Sequence, residues 1–253
     1  MSNVPVTKKV SAFNDYIGNV SNRDRVMSVV QFAAMAMTAP AAAAGCPQLS
    51  AHLNTILHSA AHYRSITRFS QWLVVAPALT PTGIQNAIQS HPNPLVGICK
   101  TISTAFFTVF LIGEELVLAS KSNMLDPVLG KHINRIRFVF LFWSNIARLI
   151  MNYLLLKIST YDAVKDSQNE EKTKEHRRKV LSVADGVLQS MFCYTLLKSS
   201  VPAGPKYLSA ALQSGSVVDI ITSLAPPLVV VPSTPQGILG LVASVPGFMM
   251  SIL

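Results

Sequence analysis

Apolar residues along this chain recur with the period of a helix, and no stretch of any length alternates as a strand does. The first third predicts a helix that begins at Ser21, with Asp24 three residues on as in a capping box. Proline and glycine within residues 40–47 end that helix, and the apolar period resumes over residues 48–75. The chain therefore starts with two predicted helices.

The first predicted helix is amphipathic. Its apolar stripe consists of Val26, Val29, Val30, Ala33 and Met37, and its polar face of Asp24, Ser28 and Gln31. Arg23 and Arg25 flank the stripe, whereas Phe32 and Met35 interrupt the polar face. Such a helix either lies in a membrane interface with its arginines at acidic head groups, or buries its stripe against the second helix.

The second predicted helix carries Arg64 and Arg68, which are four residues apart and therefore lie on one face. Two roles are open for this pair. The long side chains either reach lipid phosphates or pair with acidic residues of a neighbouring helix. Nucleic-acid binding is not expected, because the basic residues of the chain are scattered and no nucleic-acid-binding motif is present.

Two strongly apolar segments follow, over residues 95–120 and 138–156. A membrane span needs about 20 apolar residues, so each segment is either a span or a long helix half sunk in the interface. The polar groups inside them are Glu114, Glu115, Asn145, Arg148 and Asn152. Such groups mark solute or ion pathways, so a pore or metabolite channel is the alternative function.

The content of charged residues changes twice in the last part of the chain. Residues 161–179 hold 11 of the 33 charged residues and predict a charged loop, or the exposed start of the helix predicted at 180–197. After Asp219, the remaining 34 residues are uncharged, and we expect residues 236–253 to be embedded as a span or a one-leaflet hairpin. The expected anchor residues are Gly237, Leu239, Gly240 and Leu241. The glycines suit close packing on another apolar helix, with 138–156 as the expected partner.

Composition agrees with a membrane protein. Half of the residues are apolar, 13% are charged and the formal net charge is +9. Average soluble proteins have about a quarter charged residues, so the partner that suits this chain is an anionic phospholipid membrane. The three cysteines are far apart and predict no disulfide framework and no zinc site. The start of the chain has no secretory-signal pattern.

Motifs of enzyme chemistry are missing from the sequence, so we expect no catalytic residue and no cofactor. His58 and His62 have a spacing found in metal sites, but two helix-surface histidines explain them more simply. The predicted fold is an all-α, helical integral membrane protein. Its expected regions are an N-terminal amphipathic region on the cytosolic face (1–94), membrane-associated helices (95–160), a charged loop (161–179) and a membrane-embedded region (180–253).

Residues 13–32, FNDYIGNVSNRDRVMSVVQF, resemble the N-terminal signature of the peroxisomal biogenesis factor 11 family. That signature runs from an aromatic residue through Gly-Arg-Asp-Lys to a helix ending in Gln-Tyr. The matching residues are Arg23, Asp24, Gln31 and Phe32, whereas Asn22 replaces the glycine and Arg25 the lysine. The segment HYRSITRF, with Arg64 and Arg68, resembles the basic element of the family. The segment PQGILGLVASVPGFMM resembles its glycine-rich C-terminal segment. The segment VLSVADGVLQ, with Asp185, resembles a family segment that precedes the C-terminal one.

The resemblance, which is nearest to the glycosomal members of kinetoplastids, implies an integral protein of the peroxisomal or glycosomal membrane. Such a protein elongates and remodels the membrane before division, without catalysis. Carried over to this sequence, the stripe residues Val26, Val29, Val30 and Ala33 insert into the membrane, with Arg23, Arg25, Arg64 and Arg68 at its surface. The implied partners are further copies of the chain and the organelle fission machinery.

Overall fold

The structure is a computed structural model that describes residues 20–91, 93–165, 170–197, 212–213, 215–224 and 231–250. All regular elements in these ranges are helical, which confirms the predicted all-α fold. The helices are α1 (Val20–Ala43), α2 (Pro47–Thr67), α3 (Gln71–Val75), α4 (Pro81–Gln89), α5 (Pro94–Lys121), α6 (Pro127–Lys165), α7 (Glu170–Leu196), α8 (Val217–Ser223) and α9 (Ser233–Met250), with a 3-10 turn at Ala76–Leu79.

Prolines and caps set most helix starts in the first two thirds of the chain. The helices α2, α4, α5 and α6 each begin with a proline, which suits the first helical turn because its missing N–H has no partner there in any case. Thr80 caps α4 by accepting a hydrogen bond from Gly83 N at 3.2 Å, and Asn93 caps α5 by accepting one from Leu95 N at 3.0 Å.

The helix predicted over residues 48–75 is broken in the structure. At Ser70 the backbone adopts the left-handed conformation, with φ of 60°, between α2 and α3. The Ser70 N–H donates to the carboxylate of Glu115, and the Trp72 indole donates to the same carboxylate at 3.1 Å. The break is therefore stabilised by a contact with Glu115, 45 residues further along the chain, and no local sequence pattern predicts this break.

The charged segment predicted at residues 161–179 is mostly helical. The helix α6 extends to Lys165, and Glu170–Lys179 forms the exposed first turns of α7, the second of the two alternatives above. Glutamates at the start of α7 suit the positive end of its helix dipole. Glu175 and Lys179 add a pair at helical spacing, 3.8 Å apart.

Six of the long helices form a ring. Helix α1 packs between α2 and α9, α9 packs on α7, α7 packs on α6, and α6 pairs with α5. The ring closes where α2 meets α5. On the outside, α4 packs on α5 and α8 packs on α6, where the Trp143 indole donates to Leu224 O at 3.0 Å.

The C-terminal helix α9 packs on α1 and α7, so the expected partner at 138–156 was wrong. A Cβ on Gly237 would lie 2.5 Å from the backbone nitrogen of Ala36, and one on Gly240 would lie 2.7 Å from the Phe32 ring. Glycine is needed at both positions because only a hydrogen leaves room for α1. The small residues do mark a close helix contact, but with the other end of the chain.

Three helices in the described residues are long and apolar enough to cross a membrane: Asn22–Ala43, Pro94–Lys121 and Pro127–Thr160. The two middle segments predicted from sequence lie within the last two of these helices. Helix α9 is not in this set, since polar residues fill its first turn. Residues 251–253 of the predicted C-terminal segment lie outside the described residues.

Candidate functional site

The outside of the bundle is rich in exposed apolar side chains. On the three helices that are able to cross a membrane, these are Val29, Val30 and Met37 of α1; Leu95, Ile98, Ile102, Val109, Ile112 and Leu116 of α5; and Val128, Leu129, Trp143, Ile150 and Tyr153 of α6. We call this set the outer apolar surface. Large exposed apolar surfaces mark membrane or protein contacts, and on helices of this length the membrane is the simplest partner.

Helix α1 presents its predicted apolar stripe to the outside. Val29 and Val30 are each 37% exposed, while Val26 and Ala33 are half-buried. The polar face points inward, and Phe32, which interrupts it, packs edge-on against Phe192 of α7 with ring centres 4.6 Å apart. This orientation is the reverse of that in a water-soluble bundle, where the apolar face points inward.

A chamber of about 620 Å³ lies inside the ring of helices. It is lined by α1, α2, α5, α6 and α7, with Ser244 contributed by α9. The charged residues in its lining are Asp24, Arg25, Arg64, Arg68, Glu114, Lys121, Arg137, Arg148 and Asp185. Charged groups inside and apolar groups outside form the pattern of a membrane-embedded bundle.

Asp24 holds the two basic residues singled out from the sequence, Arg64 in α2 and Arg68 directly after it. Its carboxylate pairs with Arg64 Nε at 2.9 Å and Arg68 Nη2 at 2.7 Å, and Arg64 also donates to Gln31 at 2.7 Å. The side chains of Arg64 and Arg68 are only 14% and 20% exposed. Of the two roles open from sequence, pairing with a neighbouring helix is therefore the one that this geometry supports.

Glu114 extends the same network to two further helices. It pairs with Arg68 at 3.5 Å and with Arg137 of α6. Three arginines thus share two carboxylates where α1, α2, α5 and α6 meet. We call Asp24, Arg64, Arg68, Glu114 and Arg137 the arginine network. Breaking a buried pair by removing one partner typically costs about 3–5 kcal/mol, because the other charge stays buried without compensation.

A second charged group lies further along α6. Arg148 donates to Asn145 Oδ1 at 2.9 Å and pairs with Asp185 of α7 at 3.4 Å. Burial raises the pKa of the Asp185 carboxyl, against the opposing effects of Arg148 and Arg25. Burial also raises the pKa of the neighbouring Cys193 thiol to about 12, which keeps it neutral.

The five polar residues offered as a pore lining divide between two roles. Glu114, Asn145 and Arg148 line the chamber. Glu115 instead holds the break between α2 and α3, and Asn152 donates to Ser182 O of α7 at 3.0 Å. Sequence reasoning missed Arg137, although Arg137, Leu141, Asn145 and Arg148 recur at helical spacing and so mark one face of α6.

The remaining predicted site residues are mostly internal. Arg23 and Arg25 are half-buried, and Arg25 lines the chamber. Gly237 and Gly240 are buried against α1, and Leu239 and Leu241 pack on the cluster of Phe32, Phe192 and Ala243. Among the residues of α9 whose burial the structure describes, the exposed large apolar ones are Ile238, Val242, Val245 and Met249.

Metal chemistry has no obvious place in the described part of the chain. No three His, Cys, Asp or Glu residues there lie close enough to hold an ion. His58 and His62 have exposed side chains and belong to the lining of the chamber.

Comparison with known proteins places the chain in a family. The sequence model of Peroxisomal biogenesis factor 11 (PEX11) matches residues 10–248, nearly the whole chain. No curated protein and no solved structure matches it significantly. The family consists of peroxisomal biogenesis factors, not of known enzymes, and its description fits a membrane protein with apolar helices. The chain belongs to the peroxisomal biogenesis factor 11 family and has a role in peroxisome biogenesis and proliferation.

Proposed function

We propose that the protein is an integral protein of the peroxisomal membrane that elongates and remodels this membrane before the organelle divides. In a kinetoplastid, the organelle would be the glycosome. The observation that carries the proposal is the inverted orientation of α1, with charged residues inside and an apolar stripe outside. Membership of the family supports it independently.

The proposed mechanism uses α1 as a wedge. Its outward residues Val29, Val30 and Met37 insert into one leaflet, about 5–10 Å deep for a helix lying in the interface, and expand that leaflet relative to the other. The remaining sides of α1 are fixed by α2 and α9, so the bundle inserts as a unit. Because α1 is fixed in this way, its insertion into the leaflet is coupled to the rest of the protein.

Contact with anionic head groups is assigned differently from the sequence prediction. The side chains of Arg64 and Arg68 are held by carboxylates, whereas Arg177 and Arg178 at the start of α7 are exposed. We propose that these exposed basic residues contribute to attraction by acidic lipids, which weakens as salt rises. Self-association and contact with the fission machinery belong to the same proposal.

The test replaces the three outward residues of α1 by glutamine, as Val29→Gln, Val30→Gln and Met37→Gln together. Purified protein is reconstituted into anionic liposomes, and tubule formation is scored by electron microscopy. We expect tubulation to fall at least fivefold, because polar side chains do not enter the acyl region. Peroxisome number and length in cells that express the variant give the second readout.

A matched control replaces three exposed apolar residues of α2 instead. Leu49, Ile56 and Ile66 are also exposed and apolar, but they lie outside the helices that are able to cross a membrane. Their replacement by glutamine should leave tubulation nearly unchanged. Equal loss in both triple variants would refute a specific role for α1.

The pore remains the second candidate function, and the charged chamber is the observation that favours it. Planar bilayer recordings of the purified protein test it. A conductance that changes its ion selectivity on Glu114→Gln would support a path through the chamber. If the protein shows no conductance in the bilayer but still forms tubules from liposomes, membrane remodelling would be the remaining candidate function.

A further inference from the structure

The chamber inside the ring of helices carries more positive than negative charge. Among its described lining residues six are basic and three are acidic, which gives an excess of three positive charges. The excess is still two if Arg25, which has an interaction of its own, is left out. Most of these basic residues are arginines, and a guanidinium group does not lose its proton in a protein. A buried charge of this kind costs free energy unless an opposite charge compensates it.

The ion pairs inside the bundle do not remove this excess. In the arginine network, three guanidinium groups share the two carboxylates of Asp24 and Glu114. The network therefore keeps one positive charge after all of its pairs have formed. Further along α6, Arg148 pairs with Asp185 at 3.4 Å, and the Arg148 side chain is still 41% exposed.

Three of the lining arginines have N–H groups left for a further acceptor. Within the described residues, Arg64 donates hydrogen bonds through Nε and Nη1, Arg137 through Nη1, and Arg148 through Nη2. The Nε atoms of Arg137 and Arg148 are buried and have no hydrogen-bond partner there. Buried donors in proteins nearly always have an acceptor. These guanidinium groups are therefore short of acceptors.

Aromatic rings orient two of these arginines. The guanidinium carbon of Arg137 lies 4.5 Å from the centre of the Phe138 ring, and that of Arg64 lies 5.7 Å from the centre of the Phe32 ring. Stacking of this kind occupies the face of a guanidinium group and leaves its N–H edges for hydrogen bonds.

The positive charge is distributed along the chamber. Arg137 and Arg148 both line it and are 11 residues apart on α6, which places them on the same face, about 16 Å apart at about 1.5 Å per residue. Arg68 and Arg148 both act on the thiol of Cys193, so the arginine network and Arg148 border the same space. The volume of about 620 Å³ lies within the range of about 300–1,000 Å³ typical of small-molecule sites. A ligand with several negative charges suits this arrangement better than a monovalent ion.

The chamber is accessible to a polar molecule. Its described lining residues with exposed side chains are His58, His62 and Lys121. All three are polar and none is acidic, so the accessible part of the lining favours the approach of a water-soluble anion.

We propose that the chamber binds one small water-soluble anion that carries at least two phosphate groups, held by Arg64, Arg137 and Arg148. Phosphate oxygens accept paired hydrogen bonds from guanidinium groups, which makes arginine well suited to this ligand. The proposal goes beyond membrane remodelling, which uses the outside of α1, and it requires no path across the membrane. Lipid head groups carry the same phosphate chemistry, so the test includes a lipid.

Binding is measured by calorimetry on the full chain in nonionic detergent, with pyrophosphate as the probe and inorganic phosphate as the comparison. We expect one pyrophosphate per chain, bound at least tenfold more tightly than phosphate, because its second phosphate group engages a further arginine. The absence of saturable pyrophosphate binding would overturn the proposal. Equal affinity for phosphate would refute the requirement for two phosphate groups.

The lipid arm adds dioctanoyl phosphatidic acid to protein that is saturated with pyrophosphate. This lipid has a single phosphate group, so we expect it to leave pyrophosphate in place at equal concentration. Displacement of pyrophosphate would assign the site to a lipid head group and refute a soluble ligand.

Arg148→Gln should weaken pyrophosphate binding at least tenfold, and Arg148→Lys should restore part of it. Pyrophosphate should also raise the thermal midpoint of the wild-type chain but not that of Arg148→Gln. The control is Lys131→Gln, because Lys131 is an exposed basic residue of the same helix outside the chamber lining. Unchanged affinity in Arg148→Gln, or an equal loss in Lys131→Gln, would refute the site.

A second pair of variants keeps every arginine. Ser65 lines the chamber beside Arg64, and Ser65→Glu places a further negative charge there. We expect this variant to lose at least tenfold in pyrophosphate affinity, whereas Ser65→Gln, which has the same size without the charge, should bind nearly as the wild type does. An equal loss in both variants would show that the positive charge of the chamber does not determine binding.

Discussion

The two interfaces of α1 are made in opposite ways. Toward α2, α1 presents Asp24, whose carboxylate holds two arginines within 2.9 Å. Toward α9, it presents Phe32 and the backbone near Ala36, against which Gly237 and Gly240 leave no room for a side chain. The first interface depends on charge and the second on shape. A helix can therefore carry an outward-facing apolar stripe and still be fixed on both flanks.

Asp24→Ala should weaken the charge-dependent interface between α1 and α2. The change leaves Arg64 and Arg68 buried beside each other, and of the two carboxylates of the arginine network Glu114 remains, 3.5 Å from Arg68. We expect the free energy of unfolding to fall by about 3–5 kcal/mol. Reaction of Cys193 with a thiol-reactive dye during heating measures this loss in detergent, because the residue is only 2% exposed in the fold. A Cys46→Ser, Cys99→Ser background removes the other signals.

Asp24→Glu is the matched control for charge. It keeps the carboxylate and adds one methylene, so it should recover more than half of the lost stability. If Asp24→Ala unfolds at the wild-type temperature, the arginine network does not hold α1 to α2.

The shape-dependent interface is tested by Gly240→Leu. A leucine there meets the rings of Phe32 and Phe192, whose atoms already lie 2.7–2.9 Å from the position of a Cβ. Overpacking of this kind costs about 1–3 kcal/mol. The thermal midpoint should fall, and high salt should not change the size of the loss, since no charge is involved.

The control for that variant lies two residues away. Val242→Leu alters an exposed residue of the same helix and should leave the midpoint nearly unchanged. A wild-type midpoint for Gly240→Leu would mean that α9 does not pack closely on α1.

A weak charged contact lies on the exposed first turns of α7. Glu175 and Lys179 are 3.8 Å apart, and the Glu175 side chain is 63% exposed. Lys179→Ala should therefore change stability by at most about 0.5 kcal/mol. A loss as large as that from Asp24→Ala would show that burial does not set the strength of the charged contacts in this protein.

Local patterns in the sequence predict much of the fold, because apolar period and proline positions act within a few turns of helix. They identify α1, α5 and the middle of α6, and the low charge content predicts a membrane protein. The apolar period alone does not predict which face of a helix is internal. From sequence, Phe32 interrupts a polar face, whereas in the structure it is a buried core residue that packs on Phe192.

Contacts between distant segments are what the sequence did not reveal. The pairing of Asp24 with Arg64 and Arg68 spans 40 and 44 residues. The break at Ser70 depends on Glu115, and the glycines of α9 fit a helix at the opposite end of the chain. The sequence shows which residues are charged or small, but it does not show which distant residue each of them contacts.

The contact between α9 and α1 sets an order of assembly. Gly237 meets Ala36 across about 200 residues of chain, so α9 is synthesised long after α1, against which it packs. Until α9 is made, α1 has its partner α2 but an open flank around Phe32. Bringing such distant segments together carries a loop-closure entropy cost that local contacts avoid. This flank of α1 is therefore exposed until α9 has been made, and a chaperone would find it most accessible in that interval.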